Sequence, residues 1–84
     1  MKAWPIHKWQ IDEADMTVDG FRAVLRFWRL RYVRQVAGGE IWMDNDEYFH
    51  HIRTLTLMSN AERRDYLNQL ALTLGEMIPE RVAV

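Results

Sequence analysis

The stretch that decides the predicted fold is VDGFRAVLRFWRLRYVRQVAGG, residues 18–39. Thr17 precedes it with a hydroxyl that can cap the first helical turn, and the glycine pair at its end is typical of a helix terminus. The sequence therefore predicts a helix over residues 17–37. At 100° per residue, the large apolar side chains fall on one broad face: Val18, Phe21, Val24, Leu25, Trp28, Tyr32 and Val36. We expect this face to enter the core, with Trp28 at its centre.

Five arginines lie in this stretch, and no acidic residue occurs between residues 21 and 39. A guanidinium stacks on aromatic rings and grips carboxylates with two hydrogen bonds, so arginine among aromatics is typical of protein interfaces. The same residue types also suit DNA phosphates and base edges. The candidate partner-binding residues are Arg22, Arg26, Arg29, Arg31, Arg34 and Phe27. The first three share one flank of the predicted helix, and we expect them to serve recognition rather than folding.

The charge of the remaining chain leaves two interpretations of these arginines open. Residues 1–20 and 40–58 are each net acidic, and the 84-residue chain has a formal net charge of −1. Acids in residues 12–19 or 44–47 can therefore neutralise the arginines inside the fold, as charge runs often do. The small total also argues against a general nucleic-acid or membrane binder. An anionic partner would have to contact a local basic patch.

Three further patterns complete the prediction of a mainly α, three-helix single domain over residues 1–84. Aspartate and asparagine at residues 44–46 offer helix caps, which predicts a second helix over residues 45–58. Ser59 and Glu62 match a capping box, which predicts a third helix over residues 59–78 that Pro79 ends. Residues 1–14 are predicted to form an extended arm that packs its tryptophans on the helices, with a short ribbon to residues 41–43 as an option. The alternative fold is an α+β, winged-helix-like domain.

The residue types offer little for catalysis. The chain has no cysteine, which removes disulfides, thiolate ligands and a cysteine nucleophile. Glu47, His50 and His51 have a spacing that points a carboxylate and an imidazole to one side of a helix, but a metal site needs further ligands. We therefore predict no metal, no cofactor and no enzymatic activity.

The sequence instead favours a small interaction module, such as an adaptor, inhibitor or regulator of the kind that phages and plasmids encode. Its expected partner is another protein or a second copy of the chain, and no small-molecule substrate is inferred. A DNA-binding transcriptional regulator that uses the same basic helix is the alternative. No apolar run reaches the ~18 residues that a membrane span needs, and no secretory signal is present. We therefore expect no membrane contact and a cytoplasmic location.

Overall fold

The computed structural model describes residues 5–78 and shows an α+β fold, so the predicted mainly α, three-helix domain is wrong. The elements are β1 (Pro5–His7), α1 (Lys8–Asp12), α2 (Val18–Phe27), β2 (Arg31–Val36), β3 (Gly39–Met43), β4 (Phe49–Arg53), a 3₁₀ turn (Leu55–Leu57), α3 (Asn60–Leu74) and β5 (Glu76–Ile78). Strands β2, β3 and β4 form an antiparallel sheet in that order, and β1 pairs in parallel with β5. The helices lie against one face of the three-stranded sheet, where Trp42 and Ile52 join the core.

The first predicted helix is correct at its start and wrong in its second half. The Thr17 hydroxyl accepts a hydrogen bond from the Gly20 amide at 3.1 Å, but α2 ends at Phe27. Arg29 then adopts a left-handed φ of 69°, and the Leu30 amide donates to the Leu25 carbonyl at 3.0 Å. This is the Schellman pattern of a helix end, which usually places glycine where Arg29 stands. Without that glycine, the sequence carries no clear signal of the helix end.

The rest of the predicted helix forms an edge strand and a hairpin turn. Beyond Leu30 the chain is rich in aromatic and β-branched residues, which favour strand β2. Of the two glycines that were expected to end the helix, Gly38 lies in the turn after β2 and Gly39 is the first residue of β3. Gly38 has a φ of 80°, and a Cβ atom on Gly39 would lie 1.9 Å from the carbonyl oxygen of Ile52. Glycine is therefore required here by the turn and by the close approach of β4.

The predicted helix over residues 45–58 is also wrong, because its capping residues form the turn between β3 and β4. The Asp44 carboxylate accepts hydrogen bonds from the amides of Asp46 at 2.8 Å and Tyr48 at 3.0 Å. Glu47 takes a left-handed φ of 69° in the same turn. Aspartate stabilises turns and helix starts through the same side-chain hydrogen bonds, so the local pattern is ambiguous.

The third predicted helix is confirmed at its start and wrong at its end. The Ser59 hydroxyl accepts from the Glu62 amide at 3.1 Å, and the Ser59 amide donates to the Glu62 carboxylate at 2.9 Å, as a capping box requires. Helix α3 ends at Leu74, and residues 76–78 form β5. Pro79 and the residues after it lie outside the described part of the chain.

The predicted N-terminal arm is only partly extended. Residues 1–4 lie outside the described residues, β1 follows them, and residues 8–12 form helix α1. The ribbon that the sequence allowed between this arm and residues 41–43 is wrong, because β1 pairs with β5 while residues 41–43 pair with β2 and β4. Parallel pairing between the two ends of the chain has no local signal in the sequence.

The core prediction centred on Trp28 is confirmed. The Trp28 side chain is 4% exposed, and its indole nitrogen donates to the Gln10 side chain at 2.8 Å. Leu30, which fell outside the predicted core stripe, is 2% exposed, whereas Tyr32, which fell on it, is 50% exposed. The change from helix to strand at residue 31 explains both differences, because it replaces a period of 3.6 residues with a period of two.

One buried arginine ties the loops to α3. Arg63 is 7% exposed and donates to the backbone carbonyls of Met16 and Leu55, each at 2.7 Å. It also donates to the Met58 carbonyl and the Asn60 side chain. Arg63 thus supplies hydrogen-bond donors to carbonyl groups that would otherwise lack them. We therefore assign it a structural role rather than a role in binding.

Candidate interaction surface

The structure distributes the predicted partner-binding residues around strand β2. Arg22, Arg26 and Phe27 lie on α2, Arg29 lies in the turn that follows, and Arg31 and Arg34 lie on β2. The five arginines therefore do not share one helix face. Arg22 and Arg26 lie beside the side of the sheet that the helices cover, which we call the covered side. Arg29 lies in a turn, and Arg31 and Arg34 lie on the opposite side of the sheet.

A bulge in β2 places Arg31 and Arg34 on the same face. Residues three apart on a regular strand point to opposite faces. The pairing of β2 with β3 shifts by one residue between Tyr32 and Arg34, however, so that Arg31 pairs with Met43 and Arg34 with Ile41. The extra residue of a bulge changes the alternation and re-aims the side chains that follow it.

We call the side of the sheet that faces away from the helices the open sheet face. Its members are Arg31, Arg34, Ile41, Met43, Phe49 and His51. Register places them in two rows across the strands, one through Arg31, Met43 and Phe49, and one through Arg34, Ile41 and His51. Each row therefore runs from a cation on β2 through an apolar residue on β3 to an aromatic ring on β4.

Four of the six members of the open sheet face are exposed, and none of the six is an acid. Phe49 is 66% exposed, and Arg31, Arg34 and His51 are exposed as well. Within residues 5–78, neither Arg31 nor Arg34 forms an ion pair. An exposed aromatic ring and half-buried aliphatic side chains beside guanidinium groups without ion pairs in the described residues are typical of protein-interface hot spots.

The two edges of the sheet differ in how they are covered. The β4 edge is occupied by the Tyr66 hydroxyl of α3, which accepts from the Arg53 amide at 3.0 Å, while the Arg53 guanidinium lies 4.3 Å from the Tyr66 ring centroid. All β2 residues before Val36 are exposed, and within residues 5–78 β2 pairs with a strand on one side only. A bulge and cationic side chains are common protections of an edge strand against pairing with another chain. We therefore expect contacts through the open sheet face rather than through strand addition.

The covered side of the same strands has a partly buried ion pair between Arg22 and Glu40. Both Glu40 carboxylate oxygens accept hydrogen bonds from Arg22, one of them from Nε at 3.3 Å, and the Trp42 indole nitrogen donates to the same carboxylate at 2.9 Å. Burial raises the pKa of the Glu40 carboxyl, but the hydrogen bonds from Arg22 and Trp42 outweigh burial and hold the pKa below its ordinary value. The hydrogen bond from Glu40 likewise raises the pKa of Arg22. Arg22 is thus neutralised within the fold by an acid of the net-acidic segment 40–58, although Glu40 lies outside the ranges 12–19 and 44–47 that were expected to supply the partners.

Arg26 lies one helical turn beyond Arg22 on the same side. Its guanidinium carbon is 5.8 Å from the centroid of the Trp42 ring, within the range of a cation–π contact. The Tyr32 ring meets Trp42 edge to face, with 5.8 Å between the centroids. These residues border a cleft of about 330 Å³ between α2 and β2. Gln35 and Glu40, which no sequence pattern indicated as site residues, complete its walls.

Phe27 and Arg29 lie apart from both of these surfaces. Phe27 is 63% exposed and lines an apolar groove between α1 and α2. Arg29 is exposed in the left-handed turn position between α2 and β2. Neither residue is a member of the open sheet face.

The residues considered for a metal do not converge. Strand alternation sends His50 to the covered side, where its Nε2 lies 2.7 Å from the Asp44 carboxylate, and sends His51 to the open sheet face. Glu47 lies in the turn. Within the described residues, no group of three or more histidine or acidic side chains is arranged to hold a metal ion. Burial raises the pKa of Asp44, but hydrogen bonds from His50 and the turn amides hold it below its ordinary value.

Comparisons with protein-family models, curated proteins and solved structures yielded no significant match. No helix within residues 5–78 is long and apolar enough to cross a membrane. Function must therefore be inferred from the geometry and charge of the surfaces described above.

Proposed function

We propose that this protein is a non-enzymatic interaction module that binds an acidic surface of a protein partner through its open sheet face. The observation that carries the proposal is the composition of this face, on which Arg31 and Arg34 lie beside the exposed Phe49 ring and the half-buried side chains of Ile41 and Met43, with no acid among its six members. A partner with carboxylates around an apolar centre would match it in charge and polarity. A cytoplasmic location and a role as adaptor, inhibitor or regulator belong to the same proposal.

A second copy of the chain is a poorer match to this face than a different, acidic protein. Most homodimers are related by a two-fold axis, which places the same surface on both sides of the interface. Two open sheet faces stacked in this way would bring arginines of one copy near arginines of the other. Like charges in an interface are unfavourable, so self-association would need another surface.

A single-stranded nucleic acid is the second candidate partner, and one observation favours it. Asp12, Glu13 and Asp15 lie in α1 and the loop before α2, segments whose apolar residues Ile11 and Met16 pack in the core, and none of these acids is a member of the open sheet face. Phe49 and His51 offer rings for base stacking, and the two arginines can contact phosphates. The exposed acids Asp46 and Glu47 remain at one end of the sheet and oppose a long polyanion.

The proposal can be tested by fluorescence anisotropy with two labelled probes, an acidic peptide rich in glutamate and leucine and a thymidine oligonucleotide of about 20 nucleotides. We expect the peptide to bind and Arg34→Glu to weaken it by about tenfold or more, because an attractive contact becomes a repulsive one. Lys8→Glu is the matched control, since it makes the same charge change on exposed α1. Equal losses in both variants would indicate non-specific attraction and contradict the proposed surface.

The oligonucleotide distinguishes the two candidates. Tight binding that falls steeply with salt and is lost in Arg34→Glu would replace the protein partner with a nucleic acid. If neither probe binds, sedimentation of the free protein decides whether the open sheet face is buried between copies. A dimer that Arg34→Glu dissociates would then overturn the proposal of an acidic partner.

A further inference from the structure

The cleft between α2 and β2 lies on the covered side of the sheet, opposite the open sheet face. It has a volume of about 330 Å³ and is lined by Arg22, Arg26, Tyr32, Gln35, Glu40 and Trp42. Its volume is at the lower end of the range of small-molecule sites, about 300–1,000 Å³. Two aromatic rings, two guanidinium groups, an amide and a carboxylate line it, so the cleft offers polar groups that can orient a ligand and apolar surface that can contact it.

The charge of the cleft is not balanced internally. Arg22 and Glu40 neutralise each other through hydrogen bonds to both carboxylate oxygens. Arg26 has no ion pair within residues 5–78, although its guanidinium is placed over the Trp42 ring at 5.8 Å. One positive charge therefore remains, on a side chain that stacking holds at the cleft wall.

Two neutral polar groups in the same wall also lack partners in the described part of the chain. The Tyr32 hydroxyl and the Gln35 amide form no side-chain hydrogen bond there, and both residues are exposed. They lie on the same face of β2, because Tyr32 pairs with Trp42 and Gln35 pairs with Glu40. A ligand that enters the cleft can thus meet a cation, a hydroxyl, an amide and an aromatic ring.

We propose that this cleft binds a carboxylate attached to a compact apolar group, with the carboxylate on Arg26 and the apolar part against Tyr32. A single free guanidinium matches one carboxylate, since the two groups form paired hydrogen bonds. Because Arg22 and Glu40 balance each other, the cleft lining has a net charge of one, which matches a carboxylate and leaves the second charge of a phosphate dianion unbalanced beside Glu40. The inference is independent of the proposed function, because the cleft and the open sheet face lie on opposite sides of the sheet.

The test is a titration followed by NMR through the indole N–H resonance of Trp42, which faces the cleft, and through the Arg26 side-chain resonance. The probes are benzoate, the capped amino acid N-acetylglutamate amide, and inorganic phosphate. We expect a saturable shift with either carboxylate and a much weaker one with phosphate. Preference for benzoate would identify a free small molecule as the ligand class, whereas preference for the capped glutamate would identify an acidic side chain of a partner.

Two variants distinguish binding in the cleft from non-specific attraction of anions to the protein surface. Arg26→Gln should weaken carboxylate binding by about tenfold or more, because a charge-assisted hydrogen-bonded pair is lost. Arg34→Gln is the matched control, as it removes the same charge from the open sheet face and should leave the titration unchanged. The inference is overturned if phosphate shifts the Trp42 resonance as strongly as benzoate, if the shifts do not saturate, or if both variants behave alike.

Discussion

The two faces of the three-stranded sheet use charged residues in opposite ways. On the covered face, Glu40 is bound by Arg22 and Trp42, and Asp44 by His50 and two turn amides. On the open sheet face, Arg31 and Arg34 have no ion pair within the described residues. Charged groups withdrawn from water need partners, while exposed ones do not. The acids of the covered face therefore help to fix the fold, whereas the two arginines of the open sheet face remain available to a binding partner.

The largest expected change in the free energy of unfolding comes from removing the Trp28 side chain from the core beneath the covered face. Trp28→Ala should reduce the free energy of unfolding by about 3–5 kcal/mol, because it leaves a large cavity in a small core. The adjacent Phe27→Ala is the control, since Phe27 is 63% exposed and Trp28 is 4% exposed. Urea denaturation followed by circular dichroism measures both changes. Similar losses in the two variants would show that the assignment of these neighbours to core and surface is wrong.

The next effect compares an arginine inside the fold with one on the open sheet face. Arg63→Met keeps most of the side-chain volume but leaves several carbonyls, including those of Met16 and Leu55, without their donor. We expect a loss of about 2–4 kcal/mol, since each buried group without a hydrogen bond carries a desolvation penalty. Arg34→Met should change the free energy of unfolding by less than about 0.5 kcal/mol. A stable Arg63→Met variant would mean that these carbonyls find other donors.

A smaller loss is expected at the ion pair of the covered face. Arg22→Gln removes the charge that balances Glu40, and we expect a loss of about 1–3 kcal/mol at neutral pH. This effect should decrease in acid. The folded pKa of Glu40 lies below its ordinary value of 4.5, so the pair contributes fully above that value and is lost as the pH falls through the folded pKa.

Denaturation of Arg22→Gln and of the parent chain at pH 7 and near pH 3 measures this dependence. The difference between them should shrink at the lower pH, because the stabilisation that the pair contributes above pH 4.5 is lost as the pH falls through the folded pKa of Glu40. Glu40→Gln provides the control, because its stability should depend less on pH than that of the parent. A difference that is constant with pH would show that Arg22 acts through packing alone.

The sequence was informative where a signal was local and ambiguous where one pattern serves two structures. The Thr17 cap, the capping box at Ser59 and the burial of Trp28 depend on nearby residues and were predictable. The turn at Asp44 was not predictable, because aspartate stabilises helix starts and turns alike. Strand β2 was not predictable either, because the helical spacing of apolar residues over 18–28 continues by coincidence to Tyr32.

The site was harder to predict than the fold because it depends on pairing between distant residues. The residue types of the basic stretch pointed to a binding surface, yet the partner of Arg22 is Glu40, which is 18 residues away and adjacent only through the β2–β3 hairpin. The bulge that brings Arg31 and Arg34 to one face likewise follows from register. Register is set by the pairing of whole strands and leaves no short motif in a single sequence.

The smallest expected effect concerns Arg29, which belongs to neither face. Its left-handed φ of 69° is unfavourable for a residue with a side chain, and Glu47 has the same φ in the β3–β4 turn. Replacement by glycine relieves about 1 kcal/mol of backbone strain in the folded protein, but it also increases the conformational entropy of the unfolded chain. The free energy of unfolding of each glycine variant should therefore rise by about 0.5 kcal/mol. Thermal denaturation measures both gains. If Arg29→Gly also weakens binding of the acidic peptide while Glu47→Gly does not, the strained arginine is retained for recognition. If the two variants bind alike, Arg29 contributes nothing to the surface, and its place among the candidate partner-binding residues is wrong.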